Sequence, residues 1–341
     1  MHDTLEIKPR AIAQTKAHVW NALEALPGPD VQQALATHFS ADCQWHTSHP
    51  INQLCGPAEI NARFWQPLMA AIPDMERRTD IFFGGYFDGR FHGGAGNWAC
   101  ATGYYVGTFV QDWLGIPATG EPIFVRFGEF YRFEGGKIVE ARVLLDIVDV
   151  MRQAGFLVLP PSRGLDIVVP GPRGHDGLLL GPQDESITTK TINLVENMIG
   201  GLMSFDKQNL ASMGMHAYWH PDMMWYGPCG IGTNRRVEGF QKHHQKPFLV
   251  AFPDRKGGDH DCRIGEGHFL ASTGWPSVRA THSGIYLGVP ACHQRIEMRV
   301  MDWWRREGDI LRENWVLIDL PHLMLQMGVD LMDRLYQAVK K

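Results

Sequence analysis

The sequence predicts an α+β fold that occurs twice in the chain, each copy a curved antiparallel sheet wrapped around helices. Two observations predict this architecture. The 341 residues contain an internal repeat, and a chain of this length usually folds as about two domains. Each copy also begins with apolar residues at helical spacing and ends with long segments of period-two alternation, which is the order typical of an α+β domain.

The repeat is first visible in a short motif. Residues 114–118 read Leu-Gly-Ile-Pro-Ala and residues 287–291 read Leu-Gly-Val-Pro-Ala, an offset of 173 residues. The same offset relates 108–155 to 281–328 without a gap, with 17 identities in 48 aligned positions. Further upstream the offset becomes 180 residues, and it joins the pairs Asp42/Asp222, Trp45/Trp225, Pro67/Pro247 and Pro73-Asp74/Pro253-Asp254. Chance does not maintain such a register, so the chain holds two copies of one domain.

A segment rich in proline and glycine separates the two copies. Residues 156–183 contain five Pro and five Gly, a composition that interrupts both helices and strands. We interpret this segment as an ordered or semi-rigid linker, and its short apolar stretches predict that it lies against a domain surface. The sequence therefore predicts domain 1 at 1–155, the linker at 156–183 and domain 2 at 184–341.

The first elements of each copy are helices. Apolar residues at helical spacing over 12–23 predict one helix in the first copy, and Asp30 is a suitable N-cap for a second. In the second copy the same spacing covers 187–202. A later helix in each copy ends before a Pro-Asp pair, because proline cannot continue a helix, and these two helices end at Ile72 and Phe252.

Strands complete each copy. Trp45-His46 and Trp225-Tyr226 mark the centre of a short strand near the start. Period-two alternation predicts three longer strands in the first copy, with matching strands in the second. In the first copy these strands cover about 90–113, 121–134 and 138–147. Gly135-Gly136 and Gly308-Asp309 predict tight turns between the last two strands of each copy.

Four carboxylates stand at matched positions of the two copies. Glu129 and Asp302 each lie on an otherwise apolar strand face, where a carboxylate is costly to bury unless it is paired, hydrogen-bonded or protonated. Each of these two is therefore either an acid/base group in a pocket or a structural carboxylate. Asp146 and Asp319 each follow the last strand and precede a short apolar helix, which is the ordinary position of an N-cap.

The second copy resembles a known family. The segment Thr281-His-Ser-Gly-Ile-Tyr-Leu-Gly-Val-Pro, with 295–302, 309–315 and Asp319, resembles the SnoaL-like polyketide cyclases of the nuclear-transport-factor-2-like superfamily, and the first copy matches in 114–121. The resemblance implies a cone-shaped α+β barrel of the cystatin-like type around an apolar cavity. It also implies intramolecular aldol cyclisation or isomerisation of a small apolar carbonyl compound, without a metal or organic cofactor.

The resemblance also implies site residues. The family's acid/base carboxylate lies late in the domain, which corresponds to Asp319 in copy two and Asp146 in copy one, while alternation keeps Asp302 and Glu129 as further candidates. His282 is a candidate hydrogen-bond donor to the substrate oxygen. The expected substrate contacts are Trp45, His46, Trp225, Tyr226, Trp304, Asn314 and Trp315.

The two copies differ at these polar positions, and the difference predicts where the working site lies. Where copy two has His282, Asn314 and Trp315, the equivalent residues of copy one are Phe109, Ala141 and Arg142. We therefore predict the working site in copy two. Copy one either binds a different ligand or serves as a structural partner, and the tandem is interpreted as a covalent version of a homodimer. Further homo-oligomerisation stays open.

Composition excludes several other classes of protein. The formal net charge of −5 argues against nucleic-acid binding, and no apolar run approaches the length of a membrane helix. The start of the chain does not resemble a signal peptide, and six scattered cysteines without a Cys-x-x-Cys pair favour a reduced, cytoplasmic protein. Four groups carry histidines at short spacing, but none repeats between the copies, so no metal site is expected. These groups are His46/His49, His216/His220, His243/His244 and Asp259–Cys262.

Two alternatives to a cyclase or isomerase remain open on the sequence. The first is a non-catalytic protein that binds a small ligand, because one fold serves many functions. The second is a hydratase or epoxide hydrolase on the same fold, which would need a water held between a carboxylate and a hydrogen-bond donor.

Overall fold

The computed structural model describes residues 3–90, 94–257 and 260–341, with side chains from residue 10 onward. The chain forms two α+β domains in tandem, each a curved mixed sheet with helices packed on its concave face. Domain 1 contains α1 (Asp3–Glu24), α2 (Val31–His38), β1 (Phe39–Thr47), β2 (Gln53–Cys55), α3 (Gly56–Ile60), a π-helical turn (Asn61–Trp65), α4 (Gln66–Ala71), β3 (Glu76–Phe87), β4 (Gly96–Thr108), β5 (Pro122–Glu134), β6 (Lys137–Leu145) and α5 (Ile147–Gln153).

Domain 2 repeats this order. It contains α6 (Glu185–Met203), a 3-10 turn (Leu210–Met213), α7 (Met215–Tyr218), β7 (Trp219–Tyr226), β8 (Asn234–Arg235), α8 (Arg236–Phe240), a π-helical turn (Gln241–Gln245), α9 (Lys246–Ala251), β9 (Lys256–Gly257), β10 (Cys262–Glu266), β11 (Phe269–Thr281), β12 (Arg295–Glu307), β13 (Ile310–Ile318), α10 (Leu320–Gln326) and α11 (Leu331–Val339). Within the described residues no helix combines the length and the hydropathy that crossing a membrane requires.

The sheets are mixed, whereas the alternation predicts purely antiparallel ones. The strand order is β2-β1-β6-β5-β4-β3 in domain 1 and β10-β11-β12-β13-β7-β8 in domain 2, with β9 beside β11. The pairs β1–β6 and β7–β13 are parallel, and the remaining pairs are antiparallel. The first strand of each domain returns beside the last only after the helices and the intervening strands, and a long connection of this kind permits parallel pairing.

The predicted strand at 90–113 is too long at both ends, because the strand in this region is β4 (Gly96–Thr108). The alternation does not predict its partner β3, and the two strands pair from Glu76/Val106 to Phe87/Gly96. Residues 81–85 of β3 are all buried, so this strand lacks the period-two pattern that marks half-buried strands. Residues 91–93, within the predicted strand, lie outside the described residues.

The two sheets pack against each other through their outer faces. A hydrophobic cluster between them is built from both domains, with Phe130 of domain 1 against Trp303 of domain 2 at 5.3 Å between ring centroids. The approach is close enough to require a glycine, because a Cβ on Gly128 would lie 2.7 Å from the Trp303 ring. The fully buried Lys16 of α1 extends the contact with an ion pair to Glu266 of domain 2, Nζ to Oε1 2.5 Å.

The linker packs on both domains, as its apolar stretches predict. Leu178 pairs with Phe82 of domain 1, and Leu165 pairs with Thr233 of domain 2. The Trp315 indole donates a hydrogen bond to the Pro170 carbonyl oxygen, at 2.9 Å. The linker thereby covers the outer face of β13 beside the contact between the two sheets.

Candidate functional site

Domain 2 encloses a cavity of about 220 Å³ between its concave sheet face and its helices. The wall is largely apolar, with a few polar side chains, which is the composition typical of small-molecule sites. The sheet contributes Trp225, Val278, Met298, Val300, Asp302, Trp304, Asn314, Val316 and Ile318, and the helices contribute Met198, Ile199, Leu202, Met215, Phe240, His244, Gln245, Phe248 and Leu249. A cavity of roughly 150 Å³ accepts one benzene ring, so this one suits a molecule of one or two fused rings.

Period-two alternation places Asp302 in this wall. Met298, Val300, Asp302 and Trp304 of β12 all line the cavity, as the sequence predicts, while Trp303 between them points to the other domain. Asn314 comes from the neighbouring strand, where it lies opposite Trp304. Asp302 is thus the carboxylate that the sheet presents to the cavity of domain 2.

The surroundings of Asp302 disfavour its ionised form. Its hydrogen-bond partner is the neutral amide of Asn314, Nδ2 to Oδ1 3.3 Å, and no cation forms an ion pair with it among the described residues. Burial raises the pKa of Asp302 to about 7, against smaller lowering effects of the Asn314 hydrogen bond and of the charge on Arg263. Arg263 itself is paired with Glu196 at 3.0 Å. A carboxyl with a pKa near 7 can both accept and return a proton at neutral pH.

In domain 1 the equivalent carboxylate is fully compensated. Glu129 is fully buried and accepts two hydrogen bonds from Arg77, Nη1 to Oε2 2.8 Å and Nη2 to Oε1 3.0 Å, and a further one from the Tyr105 hydroxyl. Trp45, which is also fully buried, packs on Tyr131 in the same interior. Glu129 is therefore a structural carboxylate inside a filled core, and the expected contact of Trp45 with substrate is replaced by core packing.

Two substitutions between the copies remove this compensation in domain 2. Arg77 lies opposite Tyr105 in the pairing of β3 with β4. The equivalent pair in domain 2 is Gly257 opposite Val278, in the pairing of β9 with β11. Neither glycine nor valine carries a charge or a hydroxyl, so Asp302 faces the cavity without the arginine and tyrosine that Glu129 has.

His244 and Gln245 add a second polar group to the cavity wall, and sequence reasoning missed their role. They lie in the π-helical turn, and turns of this kind occur frequently at functional sites. The His244 ring stacks on Trp225, with 4.3 Å between centroids and 18° between planes. Burial lowers the pKa of His244 to about 3, so its imidazole is neutral at pH 7. The signal in the sequence is the 180-residue offset, because the equivalent residues of domain 1 are the core aromatics Phe64 and Trp65.

The structure does not place Asp319 or Asp146 at the cavity. Asp319 caps α10 through the His322 N–H, and it accepts hydrogen bonds from the His49 backbone N–H of domain 1 at 3.1 Å and from Arg299 at 3.0 Å. Asp146 caps α5 and accepts a hydrogen bond from the Cys229 backbone N–H of domain 2 at 2.8 Å. Both carboxylates therefore fix a helix start to a loop of the other domain, and neither lines the cavity.

Four other predicted site residues lie away from the cavity. Tyr226 stacks on Trp315 at 5.4 Å, on the outer sheet face, because their neighbours Trp225 and Asn314 point inward. His282 is buried against Phe252, with Nδ1 3.3 Å from Cys292 Sγ. His46 packs on Trp275 of domain 2. The predicted contacts that do meet at the cavity are Trp225, Trp304 and Asn314, together with Asp302.

The histidine pairs do not form a metal centre in the described part of the chain. No group of three or more His, Cys, Asp or Glu side chains there could hold a metal ion. Asp259, the first residue of the Asp259–Cys262 group, lies outside the described residues. His243, the neighbour of His244, instead lies 2.9 Å from the Asn234 side-chain oxygen.

Comparison with known families matches both domains to one family. The family model for the SnoaL-like polyketide cyclase matches residues 13–154 and 203–327. No curated protein matches the chain in sequence.

Solved structures resemble the chain over about two fifths of its length. AclR from Streptomyces galilaeus, described as a hydroxylase, is 22% identical, with a TM-score of 0.33, and covers 41% of this chain and 82% of its own. A protein from Jannaschia sp. CCS1, described as a SnoaL-like polyketide cyclase, is 14% identical, with a TM-score of 0.37, and covers 44% of this chain and 99% of its own. IdmH from Streptomyces antibioticus, described as a polyketide cyclase, is 22% identical, with a TM-score of 0.32, and covers 40% of this chain and 99% of its own.

Proposed function

We propose that this chain, which belongs to the SnoaL-like polyketide cyclase family, catalyses proton transfer next to a carbonyl group in the cavity of domain 2. The observation that carries the proposal is Asp302, a carboxylate without a paired cation in an apolar wall, with its pKa raised to about 7. The reaction is an intramolecular aldol cyclisation or an isomerisation of a small carbonyl compound, and it uses no metal or organic cofactor.

Asp302 acts as the base and then as the acid. The ionised carboxylate removes a proton from the carbon next to the substrate carbonyl, and an enolate forms. In a cyclisation the enolate carbon bonds to a second carbonyl carbon of the same molecule, and the protonated Asp302 returns its proton to the new alkoxide. In an isomerisation the proton returns to a different carbon. A positioned carboxylate with a pKa near the working pH contributes roughly 10²–10⁴-fold to such a step.

Asn314 is a positioning residue for this carboxylate. Its side-chain nitrogen donates one hydrogen bond to Asp302 and another to the Trp303 carbonyl oxygen, at 3.0 Å. Both N–H groups are thus used within the protein, and the carboxylate is held on the concave side of β12. The aromatic rings of Trp225 and Trp304 offer flat apolar surface to a planar enolate.

Hydrogen–deuterium exchange tests the proposal without knowledge of the natural substrate. The probe is 2-tetralone in D₂O, and NMR follows loss of the protons next to its carbonyl. We expect the chain to accelerate exchange, and Asp302→Asn to reduce that acceleration by about 10²–10⁴-fold. The rate should rise with pH through about 7, because the base is the ionised form.

Asp319→Asn is the matched control, since Asp319 does not line the cavity. It should retain exchange while circular dichroism shows both variants folded. Full proton exchange in folded Asp302→Asn contradicts the proposal. If only Asp319→Asn loses proton exchange, then Asp319 is the base. Tight binding of the probe without any exchange favours the non-catalytic, ligand-binding function.

We also propose that domain 1 serves as the structural partner of domain 2, so that the tandem is a covalent version of a homodimer. Its filled interior and compensated Glu129 support this role. The reciprocal bonds of Asp146 to Cys229 and of Asp319 to His49 support it as well, because the 180-residue offset relates His49 to Cys229.

A further inference from the structure

The end of the cavity at His244 and Gln245 holds polar atoms whose hydrogen-bonding capacity is unused. Nδ1 of His244 and Oε1 of Gln245 are both buried, and neither has a hydrogen-bond partner among the described residues. Gln245 is 5% exposed. Leaving a buried polar atom without a hydrogen bond destabilises a protein, so two such atoms on consecutive residues of a cavity wall point to a ligand group that pairs with them.

Packing fixes the orientation of the His244 ring. The His244 ring lies 4.3 Å from Trp225, 5.4 Å from Phe240 and 5.7 Å from Phe248, measured between centroids. The neutral imidazole offers one N–H donor and one acceptor nitrogen, while the oxygen of the Gln245 amide accepts. A ligand hydroxyl, which can donate one hydrogen bond and accept another, offers both of the groups that these two side chains lack.

The His244 ring lies beside a strand two places away from the strand of Asp302. Asn314, which holds Asp302, lies opposite Trp225 in the pairing of β13 with β7, and His244 stacks on Trp225. Two strand spacings therefore separate Asp302 from the strand under His244, a distance of about 10 Å.

We propose that His244 and Gln245 are specificity-determining residues that bind a hydroxyl group at the far end of the substrate. The substrate class is a hydroxylated carbonyl compound of one or two rings, with its carbonyl at Asp302 and its hydroxyl between His244 and Gln245. This proposal rests on the proposed function for the carbonyl end only. Domain 1 carries Phe64 and Trp65 at these positions, so it has neither an imidazole nor a carboxamide there.

Binding measurements test the hydroxyl preference without turnover. The probes are 2-tetralone, 6-hydroxy-2-tetralone, 7-hydroxy-2-tetralone and 6-methoxy-2-tetralone, titrated by isothermal calorimetry against the full chain. We expect at least one hydroxylated probe to bind about ten-fold more tightly than 2-tetralone, the ratio that one net buried hydrogen bond gives. The methoxy probe should lose this gain, because it cannot donate to Gln245.

Variants of the two residues test whether they cause the preference for hydroxylated probes. His244→Phe and Gln245→Leu keep the ring and the approximate side-chain volume, and each should bring the hydroxyl preference close to one while the affinity for 2-tetralone changes by less than about three-fold. A general distortion of the cavity would instead weaken all probes together. His243→Phe is the control for a neighbouring histidine outside the cavity wall, and it should keep the preference.

The outcomes separate the two proposals. An unchanged preference in both variants, no preference in the wild-type chain, or no binding of any probe at millimolar concentration overturns the assignment of the hydroxyl site. If the wild-type chain exchanges no protons but shows the ten-fold preference, and Asp302→Asn retains that preference, the hydroxyl site is supported and the proposed function is contradicted. Proton exchange without the preference gives the reverse conclusion.

Discussion

Domain 1 and domain 2 place one carboxylate at the same point of the same fold and surround it differently. Glu129 meets Arg77 and the Tyr105 hydroxyl, and large aromatic residues fill the space around them. Asp302 accepts a hydrogen bond from the neutral amide of Asn314 and lines a cavity of about 220 Å³. The strand, its register and the side-chain direction are shared, so the difference comes from the residues around each carboxylate.

This comparison shows that few substitutions separate a compensated buried carboxylate from one that faces a cavity without a cation. The change from arginine to glycine at the position of Arg77 and Gly257, and from tyrosine to valine at Tyr105 and Val278, removes one cation and one hydroxyl. The same changes remove side-chain volume, so they open space next to the carboxylate. The residues at these two positions thereby affect both the pKa of the neighbouring carboxyl group and the volume available to a ligand.

The largest expected effect is on the compensated side of the comparison. Arg77→Met leaves Glu129 buried without its cation, and breaking a buried ion pair in this way costs about 3–5 kcal/mol in the free energy of unfolding. Urea unfolding measures this loss. The double variant Arg77→Met with Glu129→Leu should recover most of it, because no uncompensated charge remains. A single variant as stable as the wild type would mean that domain 1 tolerates the lone carboxylate that we find only in domain 2.

The sequence predicts much of this comparison, because the repeat itself is a sequence feature. Alternation along β12 and β5 places Asp302 and Glu129 on the otherwise apolar face of each strand, and in the structure this face lies toward the interior of each domain. The same alternation separates Trp225 from Tyr226, so only one of two adjacent residues can face the cavity. Alternation alone does not say which of the two faces is concave, so the structure is needed to place Tyr226 and Trp315 on the outer face.

Other parts of the site depend on contacts between distant segments. Gly257 takes the position of Arg77 only through the pairing of β9 with β11, and the offset between the copies changes near this point. The sequence explains Asp146 and Asp319 as helix caps, which is confirmed, but their bonds to loops of the other domain require the packing of the two sheets. The late position of the family's acid/base residue therefore led to Asp319, whereas the open cavity favours Asp302.

The next effect in size is a dependence of stability on pH that Asp302 imposes. Its pKa rises from 3.8 to about 7 on folding, so the folded state binds a proton that the unfolded state releases between these values. The wild-type chain therefore loses stability as pH rises from about 4 to about 7, whereas Asp302→Asn does not have this loss. The variant should match the wild type near pH 4 and exceed it by up to a few kcal/mol at pH 8.

Urea unfolding of both proteins at pH 4.5, 6 and 8 measures this difference. All other titrating groups are common to the two chains, so the difference between their curves isolates Asp302. A difference that stays constant with pH would show that Asp302 is as well compensated as Glu129, and the contrast between the domains would disappear.

The smallest expected effect distinguishes the two matched aspartates between the domains. Asp319 has a cationic partner in Arg299, whereas the equivalent Arg126 donates to the Tyr226 and Gly227 carbonyl oxygens instead of to Asp146. Asp319→Asn removes a charge that Arg299 needs and should cost about 1–2 kcal/mol. Asp146→Asn removes a charge that Asp149 repels, since burial and Asp149 raise the pKa of Asp146 to about 7, and it should cost less than about 1 kcal/mol.

The two variants carry the same substitution, so effects that are common to aspartate-to-asparagine changes cancel when their stabilities are compared. Asparagine retains one oxygen, so each variant can keep either the helix cap or the bond to the other domain, and this shared loss cancels when the two are compared. The remaining difference in the free energy of unfolding then comes from two causes. Asp319→Asn loses the attraction to Arg299, and Asp146→Asn loses the repulsion by Asp149. Equal losses in urea unfolding would mean that the contact between the domains is energetically symmetric, and that the two copies have diverged in their interiors but not where they meet.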